Sequence, residues 1–162
     1  MDDQRTAADT AFPVRHHPAH PSPVEQHNRP TLVLVTVCTA NRVAVLGNPQ
    51  AHQALISAWH QAGAWIVGNY VVMPDHIHLF CTPAERGGHT IRDWVAFWKD
   101  RAGDGLPALR GMFQRDGWDT QMRTQGHYCR KLEYVRANPV RQGLVARAED
   151  WPYQGRLNRL WW

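Results

Sequence analysis

The dipeptide Pro74-Asp75 separates two apolar, β-rich runs, and this is the tightest constraint the chain places on its own fold. Ala64 to Met73 (Ala-Trp-Ile-Val-Gly-Asn-Tyr-Val-Val-Met) reads as a strand, and His76 to Cys81 reads as the next one, running back beside it as an antiparallel hairpin. Upstream, Thr31 to Thr39 (Thr-Leu-Val-Leu-Val-Thr-Val-Cys-Thr) is rich in β-branched residues and bounded by Pro30 and Asn41, which predicts a first strand. Residues 49 to 62 lie between, with Pro49 suited to a first helical turn and Gly63 to a stop. Residues 90 to 101 carry Ile91, Trp94, Val95 and Trp98 at spacings of three and four, the pattern of an amphipathic helix.

Met112 to Gln121 is a plausible fourth strand, interrupted by Gly117. Gln125 to Asn138 is expected to be a last helix closed by Pro139, because the residue before proline disfavours the α region. Leu144 to Leu157 is expected to pack back as an irregular tail anchored by Trp151 and Tyr153. The order β-α-β-β-α-β-α predicts an α+β protein: a ferredoxin-like, split β-α-β antiparallel sheet with an additional C-terminal helix. Such a sheet hosts many unrelated activities, so function has to be argued from particular residues.

With 162 residues, the chain suits one compact domain, expected over residues 31–162. Residues 1 to about 30 hold five prolines and four histidines without periodicity and read as a flexible arm. Lys and Arg number 18 against 14 Asp and Glu. The excess sits late, from Lys99 to Arg147, where it is placed to neutralise phosphates or simply to solvate a surface. Cys38, Cys81 and Cys129 are odd in number and far apart, which fits neither a disulfide framework nor a cysteine zinc site. The first residues include Asp2 and Asp3 and no apolar core, unlike a secretory signal, and no run approaches the roughly 18 apolar residues of a membrane span. The expectation is a cytoplasmic protein with no membrane partner.

Two segments carry chemistry. In Met73-Pro74-Asp75-His76-Ile77-His78-Leu79-Phe80, side chains two apart share a strand face, so His76 and His78 project together while Ile77 and Leu79 face the core. Two imidazoles on one face make half of a metal site. Taken alone, the pair reads as two exposed strand histidines. In Lys131-Leu-Glu-Tyr134-Val-Arg-Ala-Asn138-Pro139, residues four apart on a helix put Tyr134 and Asn138 on one face, an amide to complete the metal site and a phenol beside it. Alone, Tyr134 would pass for a core tyrosine and Asn138 for a helix cap before proline. Tyr128, six residues earlier, is rotated roughly 120° from Tyr134.

Together the two segments resemble the REP-associated tyrosine transposases of the single-tyrosine HUH transposase superfamily. The likeness runs from about residue 31 to 156. It is carried by Val35-Thr36 through Asn41-Arg42, by Met73 to Leu79, by Arg123, by Tyr134-Val-Arg-Ala-Asn-Pro-Val-Arg-Gln-Gly-Leu-Val145, and by Asp150-Trp-Pro-Tyr153. The resemblance implies metal-binding histidines at His76 and His78, a nucleophilic tyrosine at Tyr134 and a further ligand at Asn138. It also implies a divalent metal cofactor, magnesium or manganese, and a single-stranded or hairpin DNA substrate cut through a 5′-phosphotyrosine link. Arg115, Arg123, Arg130, Lys131 and Arg141 are the expected phosphate contacts. The resemblance leaves room for a homodimer in which Tyr134 stands opposite the partner copy's histidines.

Two rival readings remain. A domesticated relative would grip hairpin DNA without cutting it, although retention of all four site residues speaks against that. A hydrolase built on His-x-His would need a further ligand, and the nearest carboxylate, Asp75, is expected on the other strand face. Trp94, Trp98 and Trp118 are candidate base-stacking platforms, but the helical spacing of the first two suits a core.

Overall fold

A computed structural model describes residues 31–85 and 88–161. The arm expected at residues 1–30 lies outside the described residues, so its character rests on composition alone. Five strands and three helices follow in the order β1 (Leu32–Cys38), α1 (Pro49–Gln61), β2 (Trp65–Val72), β3 (His76–Pro83), α2 (Ile91–Gly105), β4 (Trp118–Met122), α3 (Gln125–Arg141) and β5 (Gln154–Arg156). All pairings are antiparallel and the sheet order is β4-β1-β3-β2-β5, so the first four strands form the ferredoxin-like arrangement the sequence predicts. Among the described residues, no helix is long and apolar enough to cross a membrane.

Alternation along the strands builds two apolar layers. Val33, Val35 and Val37 of β1 and Ile77, Leu79 and Cys81 of β3 face one side, where they pack with Leu55 and Trp59 of α1 and Trp94 and Trp98 of α2. This is the main core, and Trp94 ties it further by donating from Nε1 to the Ala62 carbonyl at 2.7 Å. Removing a side chain such as Leu55 from this layer would cost about 2–5 kcal/mol. Leu32, Leu34, Val71, Met73 and Phe80 face the other side, where Val135 of α3 and Trp151 close over them. Each helix starts on a polar cap: the side chains of Asn48, Thr90 and Thr124 accept from the backbone N–H of Ala51, Asp93 and His127.

Three expectations need correction. The fourth strand begins at Trp118 rather than Met112. Residues ahead of it hook back to the end of β1, where Phe113 bridges Thr39 and the Gln114 N–H donates to the Cys38 carbonyl. Gly117 marks the entry to β4 because a Cβ there would sit 2.9 Å from the Thr36 carbonyl oxygen.

Pro139 does not end α3, which continues through Arg141 with the proline buried in its last turn. Only one i→i−4 bond is forfeited that late in a helix. The stop is Gly143, at φ 71: its N–H donates to the Val140 carbonyl and that of Leu144 to the Pro139 carbonyl, a left-handed glycine closure.

The tail expected to be irregular instead supplies β5, which pairs Gln154, Gly155 and Arg156 with Val71, Tyr70 and Asn69. The tail then stays on β2: the Leu157 N–H donates to the Gly68 carbonyl and Asn158 Nδ2 to the Val67 carbonyl, beside the register shift between Val67 and Tyr70.

Candidate active site

His76 and His78 project from β3 toward α3 with Phe80, opposite Ile77 and Leu79, as strand alternation requires. They are not exposed: α3 covers them and both are buried. Asn138 reaches down from α3 so that its Nδ2 lies 2.9 Å from Nε2 of His78 and 3.4 Å from Nε2 of His76. The two rings stand nearly perpendicular, with centroids 4.8 Å apart. Asn138 is thus a buried partner of both histidines rather than a helix cap.

The other ring nitrogens are occupied. Nδ1 of His76 contacts the Asp75 carboxylate at 2.7 Å, and Nδ1 of His78 contacts Thr36 Oγ1 at 2.9 Å. A carboxylate can only accept, so the His76 contact requires a proton on Nδ1 and leaves Nε2 as a bare lone pair. Asp75 therefore does not lie on the far side of the strand, as its position next to His76 suggested. It precedes β3, in the turn, where alternation does not apply, and its carboxylate turns back to the first histidine.

Electrostatics keep both imidazoles neutral. Burial pushes His78 down to about 3, assisted by the positive potential of His76, Arg42 and Lys131. Burial also lowers His76, against the opposing pull of Asp75. Burial works to raise the Asp75 carboxyl, but hydrogen bonding and charge from His76 and Arg42 outweigh it and hold it below its ordinary value. Neutral imidazole is the form that donates a lone pair to a metal.

Tyr134 lies one turn before Asn138 on the same helix, with its side chain at the surface and about a third exposed. The Arg141 guanidinium sits 4.4 Å from the centre of its ring and the Lys131 ammonium 5.8 Å, so two cations flank the phenol. The other tyrosines are structural. Tyr128 packs edge-on against Phe80 and its hydroxyl accepts from Asn69, whereas Tyr70 contacts His52 at 3.0 Å under α1.

Of the five expected phosphate contacts, Arg130, Lys131 and Arg141 are on α3, and Arg123 lies in the connection that leads into it. Arg115 falls elsewhere. It borders a cleft of about 540 Å³ beside α2 together with Lys99, Arg101 and Arg110, on the face of the sheet away from α3. Trp94 and Trp98 are buried in the main core and are not stacking platforms.

Sequence reasoning missed three residues of the site: Thr36, Arg42 and Asp75. Thr36 and Cys38 pair across the strands with His78 and His76, so the register of β1 on β3 identifies them. Strand register between elements 40 positions apart is not written in either segment.

No family model matches the chain. The chain is 26% identical over 132 residues to a REP-associated tyrosine transposase of Escherichia coli (strain K12), covering 80% of this chain and 71% of that protein. It is 30% identical over 96 residues to a protein of Haemophilus influenzae assigned to the same group, covering 51% of this chain and 53% of the other. The solved structure of a REP-associated tyrosine transposase bound to a REP hairpin has the same fold, with a TM-score of 0.67 at 22% identity over 81% of this chain and 82% of that one. In sequence this chain is similar to REP-associated tyrosine transposases, and it shares the fold of the one solved on a REP hairpin.

Proposed function

We propose that this chain is a DNA transposase-like nuclease that cuts and rejoins single-stranded or hairpin DNA through a 5′-phosphotyrosine at Tyr134. The observation that carries the reading is the meeting of His76, His78 and Asn138 one helical turn from Tyr134. The likeness to transposases, one of them solved on a REP hairpin, supports the substrate class.

The side chains fit a divalent cation. Two desolvated imidazoles point bare Nε2 atoms at one amide, and half a turn of that amide would present Oδ1 in place of Nδ2. Among the described residues, no three His, Cys, Asp or Glu side chains are arranged to hold one metal ion, and Asp75 is turned to the far nitrogen of His76, so Asn138 is the natural third ligand and a zinc hydrolase gains no support. Two nitrogen ligands favour manganese, while magnesium would rely more on water and phosphate oxygens. When bound, the cation would polarise the scissile phosphate and stabilise the departing oxygen.

The chain's own residues do the rest. The Tyr134 oxygen attacks phosphorus, the bond from phosphorus to the 3′ oxygen breaks, and that oxygen leaves as a 3′ hydroxyl after taking up a proton. The tyrosine proton passes to solvent. Because one phosphoester replaces another, a 3′ hydroxyl can reverse the link without outside energy. Arg141 and Lys131 flank the phenol, which supports their holding the phosphate, and Arg123 and Arg130 are the further expected contacts.

Both histidines, on β3, meet Asn138 of the helix that bears Tyr134 within one chain, so a single copy carries every group. A homodimer that exchanges Tyr134 between copies is the other arrangement. The cytoplasm, where the three cysteines remain free thiols, is the expected compartment. The reading is tested by incubating the chain with labelled single-stranded and hairpin oligonucleotides and manganese or magnesium. A covalent adduct on a denaturing gel is expected, whereas tight binding without any adduct would mark a non-cleaving hairpin-binding protein.

A further inference from the structure

The contacts behind His76 extend further than ligation alone requires. The Asp75 carboxylate places one oxygen 2.7 Å from Nδ1 of His76 and the other 2.8 Å from Nε of Arg42. The same guanidinium donates from a terminal nitrogen to Cys38 Sγ at 2.7 Å, and Cys38 is the β1 residue paired with His76. Arg42 is thereby fastened to β1 and to the turn that leads into β3.

The backbone that delivers Arg42 is unusual. Asn41 and Arg42 are consecutive residues with φ of 54 and 56, and neither is glycine. Asparagine tolerates this region, but arginine adopts it at a cost, and such strain persists only where the surroundings over-determine it. The surroundings here are specific: Thr39 donates from Oγ1 to the Val43 carbonyl at 2.8 Å and from its backbone N–H to the Asp75 carbonyl at 2.9 Å, closing the turn on the Asp75 loop.

We propose that Arg42 and Asp75 form a positioning clamp that fixes His76 with its proton on Nδ1 and so aims Nε2 at a divalent cation. The inference rests on the metal-binding reading of His76, His78 and Asn138 given above. An ion pair serving only the fold would not need to end on a ring nitrogen beside a bare lone pair. At the same position His78 meets the neutral Thr36 hydroxyl, which can donate or accept, so the two imidazoles are unequal. His76, backed by a carboxylate, is the more basic ligand.

The test uses the full chain at neutral pH, with nitrogen-15 NMR of the imidazoles, calorimetric titration with manganese chloride, and urea unfolding of the metal-free protein. In the parent, His76 should carry its proton on Nδ1. Asp75→Ala should shift it toward the Nε2-protonated form and weaken manganese binding by roughly 10- to 100-fold, with the urea midpoint unchanged. Asp75→Asn keeps an acceptor oxygen and should fall between. If Asp75→Ala does not fold, Arg42→Lys carries the test, because lysine cannot hold the carboxylate and Cys38 together. Parent-like tautomer and affinity in these variants would overturn the clamp alone, as would an affinity loss that only tracks a lowered urea midpoint. A parent without manganese affinity would overturn the metal-binding reading and the clamp with it.

Discussion

Nδ2 of Asn138 stands 2.9 Å from Nε2 of His78, across 60 positions of sequence, and the same amide reaches His76 at 3.4 Å. One side chain from α3 thus joins the two strand histidines, and the seating of the helix and the arrangement of the two imidazoles become a single property. Asn138→Ala should leave both histidines in place yet weaken manganese binding at least about tenfold, while Asn138→Asp, which restores an oxygen, should recover it. Calorimetry decides the point. Unchanged affinity in Asn138→Ala would remove the amide from the site.

Tyr134→Phe takes away one hydroxyl and keeps the partly exposed ring beside Arg141 and Lys131. Hairpin and manganese affinity should be retained and the protein–DNA adduct lost. Tyr128→Phe should keep the adduct, since that hydroxyl is committed to Asn69. Peptide mapping of the trapped adduct is expected to place it within Leu132 to Arg136, and an adduct at Tyr128 would reverse the assignment.

Neutral, buried His78 makes the metal-free protein sensitive to acid. An unfolded histidine takes up a proton near 6.5, whereas His78 in the fold resists until about 3. Between these values the unfolded state binds more protons, so stability is complete above about 6.5 and falls as pH drops toward 3. The loss should be on the order of several kcal/mol, and His76 adds to it in the same direction. Urea unfolding across that range measures it. In His78→Ala the slope should flatten, and an unchanged slope would place the acid sensitivity in other groups.

The cations on α3 are expected to differ from Arg115 in their effect on DNA. Neutralising Arg130 or Arg141 to Gln should lower the slope of log affinity against log salt by about one each. Arg115→Gln should do little, because that side chain borders the cleft beside α2. Fluorescence anisotropy over a salt series checks this. A larger loss for Arg115 would route the strand over the opposite face.

If one copy carries every group, mixing Tyr134→Phe with His78→Ala protein should yield no adduct on a labelled hairpin. Adduct recovered only in the mixture would mean that Tyr134 acts on the partner copy's site.

The local elements were legible because their signals are local. Alternation gave the faces of His76 and His78, Pro49 and Gly63 bounded α1, and periodicity gave α2. The spacing of four put Tyr134 beside Asn138. What depended on distant pairing was not legible. Thr36 and Asp75 belong to the site only through the register of β1 on β3 and the turn before it. Pro139 carries a strong local bias against helix, yet its burial in the last turn and the Gly143 closure override it. A three-residue strand such as β5 has no pattern long enough to register.

The tail strand settles how the sheet presents its border. β2 is apolar along nearly its whole length, and without β5 its free N–H and C=O groups would offer a ready template for a second chain. A version shortened before Gln154 would keep the histidines, Asn138 and Tyr134 but expose that border. Its failure would be aggregation through strand addition, with the chemistry of each molecule still in place.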